Sequence, residues 1–145
     1  MSRKVMVLVL LCMLGFGPAY ATVGQEVLSE DSDLRFAATQ HEIISILIRE
    51  GEYDRVLPEF EKILSLDLSG PKEELLVKEV WLVANSLMTA EQYSVGQQVI
   101  DKALRKVSSD ESRFTLLMLK GKLYKQEGRL QDAVRVYRQA QNVQD

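Results

Sequence analysis

A pattern of small and apolar residues recurs three times between positions 37 and 145. Ile44, Ala84 and Gly121 align, as do Leu47, Leu87 and Tyr124, then Tyr53, Tyr93 and Leu130, then Phe60, Ile100 and Tyr137. From Ile44 to Ala84 and from Ala84 to Gly121 the intervals are 40 and 37 residues. A period of this size marks one supersecondary unit that cannot bury its apolar face alone, so the copies must stack to share a core.

Within each copy the apolar residues follow helical spacing, with no strand-like alternation flanked by turn chemistry, and an all-helical fold is expected. Phe36, Ile43, Ile44, Leu47 and Ile48 mark a first helix that Gly51 stops. A second, from about Tyr53 to Leu66, buries Val56, Leu57, Phe60, Ile63 and Leu64. Pro58 sits near its start, where a missing amide hydrogen costs least. Gly70-Pro71 breaks the chain before a third helix, about Lys72 to Met88, whose first-turn Glu73 and Glu74 suit the positive end of the helix dipole. Thr89 with Gln92 reads as a capping box opening a fourth helix through Val107, and Ser108 with Glu111 as another opening a fifth, closed by Gly128. The sixth runs from about Leu130 to Val143, with Leu130, Ala133, Val134, Tyr137 and Ala140 on one stripe.

The six helices pair into three helix-turn-helix hairpins, over about 33–68, 71–107 and 109–145. In the third, Gly121-x-x-Tyr124, the turn at Gly128, Ala133-x-x-x-Tyr137 and Ala140 resemble a tetratricopeptide repeat. The second keeps Ala84, Tyr93 and Ala103 but has Gly96 in a small-residue slot, and the first diverges most, with Gln40 where a bulky apolar residue is usual and Val56 where alanine is usual. The resemblance covers about residues 37–145. It implies an all-α, right-handed superhelical stack of three hairpins, an α-solenoid like that of the tetratricopeptide family, with the surplus length of each copy in loops around Gly70-Pro71 and Ser108-Ser109.

The N-terminus carries a different signal. Arg3 and Lys4 precede an apolar run, Val5 to Phe16, and then Gly17-Pro18-Ala19-Tyr20-Ala21. This is the layout of a cleavable secretory signal over residues 1–21, and the apolar run is shorter than the roughly 20 residues of a spanning helix. A retained anchor is the alternative. Residues 22–32 are acidic and poor in apolar side chains, which predicts a flexible leader before a domain at 33–145. The expected location is exported, periplasmic or secreted. Cys12 leaves with the signal, so the processed chain has no thiol for a disulfide or a metal. No membrane span is expected after residue 21.

Without Arg3 and Lys4 the chain holds 16 basic and 21 acidic groups, a net charge of −5 that disfavours nucleic acid. The charge is uneven. Residues 22–91 carry 15 acidic and 6 basic groups, and residues 92–145 carry 6 acidic and 10 basic. The basic cluster Lys102, Arg105, Lys106, Lys120, Lys122, Lys125, Arg129, Arg135 and Arg138 is either a docking surface for an acidic partner or anionic membrane, or an ordinary solvated helix surface.

Catalysis is not expected. The single histidine, His41, has no second histidine or processed-chain cysteine to complete a metal site, and there is neither a phosphate-binding glycine loop nor a Gly-x-Ser-x-Gly elbow. No cofactor is implied.

The family resemblance implies instead that the first helix of each hairpin lines a concave groove that binds another protein. Carried over position by position, the lining is Ala38, His41, Ser45 and Ile48, then Lys78, Trp81, Asn85 and Met88, then Thr115, Met118, Lys122 and Lys125. Trp81 beside Met88 and Met118 would anchor an apolar partner side chain; the alternative is that Trp81 packs between helices. Some family members grip a C-terminal carboxylate, but His41, Ser45, Leu82, Thr115 and Leu119 stand at those places, so that clamp is missing. Three functions follow as expectations: a scaffold or adaptor that docks a peptide or helix in the groove, a head-to-tail self-assembly through the oppositely charged halves, or an accessory subunit of an envelope enzyme or secretion complex.

Overall fold

A computed structural model describes the backbone of residues 17–143 and the side chains of residues 32–143. The chain divides into two units, Met1–Phe36 and Ala37–Asp145. The described part of the first is the N-terminal portion of helix α1 (Gly17–Glu50). The second holds the rest of α1 and five more helices: α2 (Val56–Leu64), α3 (Glu73–Thr89), α4 (Tyr93–Leu104), α5 (Asp110–Gln126) and α6 (Leu130–Gln141). Short 3-10 turns, Tyr53–Arg55 and Gly70–Lys72, lead into α2 and α3. There is no strand among the described residues, and the fold is all-α.

The N-terminal expectations fare differently. Residues 1–16, which hold the charged and apolar parts of the export signal, lie outside the described residues. Residues 22–32, expected as a flexible leader, are part of α1. Gly24 is the only strong helix breaker between Ala19 and Phe36, and it costs about 1 kcal/mol. Once the downstream turns have formed, each added residue gains a hydrogen bond without a new nucleation cost.

The three hairpins turn in the same way. Gly51 (φ 78°), Glu91 (φ 57°) and Gly128 (φ 84°) all adopt the left-handed conformation one residue before the same backbone bond. In the first turn the amide of Glu52 donates to the carbonyl of Leu47 at 2.9 Å; in the second, Gln92 to Leu87 at 2.8 Å; in the third, Arg129 to Tyr124 at 2.8 Å. This 6→1 bond closes a helix with a Schellman-type cap. Glu91 thus holds a place where its two counterparts are glycine. The capping box expected at Thr89 is absent: Thr89 ends α3 and its hydroxyl donates back to the carbonyl of Asn85 at 3.0 Å. The fifth helix is capped by Ser109, whose hydroxyl accepts from the Ser112 amide, and not by Ser108.

One core joins all six helices. Ile44 and Leu47 of α1 meet Val56, Phe60 and Ile63 of α2, Val80, Val83 and Leu87 of α3, Val99 and Ile100 of α4, Leu116 and Leu123 of α5, and Ala133, Val136 and Ala140 of α6. Each large apolar side chain fully buried this way contributes about 2 kcal/mol over exposure. α3 packs on both α4 and α5, α2 packs on α4, α4 on α5 and α5 on α6. The last pair is the most intimate, because Gly121 has no Cβ: one built there would lie 2.4 Å from the Tyr137 ring. Tyr137 thus fills the space inside its own hairpin.

Two expected stripes shift. In α6 the buried face is Ala133, Val136 and Ala140, with Tyr137 partly covered, while Leu130 and Val134 face solvent. In α1, Phe36 and Ile43 are exposed, and Ala37, Gln40, Ile44 and Leu47 are buried. Both runs contain apolar residues on adjacent faces, and only the neighbouring helices choose which face is covered.

Candidate functional site

The first helices of the second and third hairpins, α3 and α5, leave a cavity of about 600 Å³ between their N-terminal halves. Gly70 and Pro71 form one end. α3 contributes Glu73, Glu74, Val77, Lys78 and Trp81, and α5 contributes Glu111, Ser112 and Thr115, with Ser109 just ahead of it. Of the twelve groove residues expected from the family pattern, Lys78, Trp81 and Thr115 line this cavity.

Trp81 is 48% exposed and does not belong to the core cluster. Its neighbours are linked by polar contacts. The Asn85 side-chain amide donates to the carbonyl of Trp81 at 2.6 Å, and Lys122 Nζ donates to Asn85 Oδ1 at 2.6 Å. The same ammonium stands 5.8 Å from the centre of the indole ring, within cation–π range. Met118, one turn before Lys122 on α5, is exposed as well. Trp81, Asn85 and Lys122 therefore form a connected surface beside the cavity, with exposed Met118 one turn from Lys122.

The other expected lining residues divide. His41 is half-buried, and its Nδ1 lies 2.7 Å from Glu79 Oε2, which ties α1 to α3. Ala38, Ser45 and Lys125 are exposed, and Ile48 packs partly against the core. Met88 must be corrected. It is buried, because it lies at the last turn of α3 where the chain folds back into α4, and it joins the core instead of flanking Trp81.

The cavity wall contains a link that sequence reasoning missed. Glu73 opens α3 and is buried among the serines ahead of α5. Its Oε2 accepts from the Ser108 amide (2.8 Å) and hydroxyl (2.7 Å), and its Oε1 from the Ser109 amide (3.0 Å) and hydroxyl (2.6 Å). Burial works against ionisation, but the hydrogen bonds from Ser109, Ser108 and Ser112 outweigh it and hold the carboxyl well below the usual carboxylate range. The only signal available in the sequence was a Ser-Ser pair ahead of a helix, one period after a first-turn glutamate.

The basic cluster is not one patch. Lys102 pairs with Glu61 of α2, Lys120 with Asp101 of α4, and Arg129 and Arg135 with Asp132. Arg129 also stacks over Tyr124, 4.4 Å from its ring centre. Among the described residues no three His, Cys, Asp or Glu side chains stand together as a metal site, and no helix is long and apolar enough to cross a membrane. No family model matches the chain, and no curated protein matches it.

Proposed function

We propose that this chain is a non-catalytic interaction module of the tetratricopeptide type, exported to the periplasm or secreted, that takes an extended segment or helix of another protein against the α3–α5 groove. The observation that carries this is Trp81. An indole left nearly half exposed on a cavity wall, with the Lys122 ammonium near its ring, offers an apolar anchor site. Large aromatic side chains concentrate binding energy at protein interfaces. The three identical hairpin turns support the repeat architecture that the sequence resembles.

The test is photo-cross-linking in the producing cell. A photoreactive residue at Lys78, on the groove, is expected to capture a partner that the same probe at Arg105, beside α2 and α4, does not. Adding Trp81→Ala should abolish the capture while helical circular dichroism is unchanged. Equal capture from both positions, or capture indifferent to Trp81→Ala, rules the groove out.

A further inference from the structure

The two ends of the repeat leave open the same faces that are closed inside it. On α3, Val83, the counterpart of Ile43, is buried, and on α5, Leu123, the counterpart of Ile46, is fully buried, while the remaining two counterparts are the polar Ser86 and Lys120. The matching positions on α1 are Ile43 and Ile46, and they are 37% and 47% exposed. At the other end, Tyr53 in the turn before α2 and Leu57 of α2 are partly buried against the core, whereas their counterparts on α6, Leu130 and Val134, are 59% and 45% exposed. Inside the chain the second helix of one hairpin is held to the first helix of the next: α4 packs on α5, with Asp101 paired to Lys120 at 2.7 Å. Among the described residues no helix packs on the open face of α6 in this way.

The geometry points to a second copy of this chain as the occupant, with Leu130 and Val134 of α6 set against Ile43 and Ile46 of α1 in the next molecule. The step from one hairpin to the next would then continue across the molecular boundary. Charge favours the same partner: exposed Arg138 lies one turn beyond Val134 on α6 and exposed Glu42 one turn before Ile46 on α1, in keeping with the acidic first half and basic second half of the sequence. The contact joins two different surfaces, so it is heterologous, and it grows head to tail unless the rotation closes a ring. Two apolar side chains on each side make a small interface, so association is weak and rises with concentration.

Two paired variants of the full chain test this. Ile43→Glu/Ile46→Glu removes the α1 face and Leu130→Glu/Val134→Glu removes the α6 face; all four sites are exposed, so helical circular dichroism should be retained. By light scattering the wild-type mass should rise with concentration and fall with added salt. Each variant alone should remain monomeric, and an equal mixture should reach twice the monomer mass and no more, because each molecule keeps one complementary face. Wild type that stays monomeric at roughly millimolar concentration, either variant alone associating like wild type, or a mixture that stays monomeric would each overturn it. If glutamate lowers the helical signal, serine at the same four positions gives the same comparison.

Discussion

Glu73 and Ser109 lie 36 residues apart in sequence, yet both the amide and the hydroxyl of Ser109 donate to one oxygen of the Glu73 carboxylate. The Ser109 hydroxyl at the same time accepts from the Ser112 amide and caps α5. One buried acid at the start of α3 therefore sets where α5 begins, and so the width of the cavity between them.

Stability should depend on this carboxylate in acid. Its folded-state pKa lies below the ordinary value of 4.5, so the stabilisation is complete above about 4.5 and is lost as pH falls from there toward the folded value. Urea melts at pH 7 and pH 3 should show a loss for the wild type that shrinks in Glu73→Gln. At neutral pH, Glu73→Ala should cost about 2 kcal/mol, because the Ser108 and Ser109 amides lose their acceptor. An unchanged acid limb in Glu73→Gln would show that other carboxylates govern it.

Glu91 occupies the left-handed turn position that Gly51 and Gly128 fill in the other hairpins. A side chain there is strained, and glycine removes the strain at a smaller entropic cost. Glu91→Gly should raise stability by about 0.5–1 kcal/mol in chemical denaturation, a sign opposite to that of most glycine substitutions.

Gly121→Ala should destabilise the α5–α6 pair. The added methyl would overlap the Tyr137 ring, and separating two packed helices costs about 1–3 kcal/mol. Combining it with Tyr137→Leu, which shortens the opposing side chain, should recover part of the loss; simple additivity of the two losses would mean that the contact is not the cause.

Gln40 is buried with its Oε1 lacking a hydrogen-bond partner, at the position where α3 has Val80 and α5 has Leu117. An unsatisfied buried carbonyl costs about 1–3 kcal/mol. Gln40→Leu, close in volume, should therefore increase the melting midpoint, by about 1 kcal/mol in free energy. A decrease would indicate that Gln40 serves the fold in some other way.

Local chemistry alone determined the helical class, five of the six helices to within a few residues, and the turns at Gly51, Gly70-Pro71 and Gly128, because a 3.6-residue period and a glycine's conformational freedom act within a few positions along the chain. Trp81 also stood out there, as the one tryptophan in a helix-spaced run. Only the tertiary structure decided that Trp81 is exposed while Met88 is covered, that Val136 and not Val134 faces inward, and that Glu73 belongs to the serines ahead of α5. Each of those outcomes depends on which helix lies opposite. Residues 35–38 positions apart, such as His41 and Glu79 or Glu73 and Ser108, become neighbours only when one hairpin is stacked on the next.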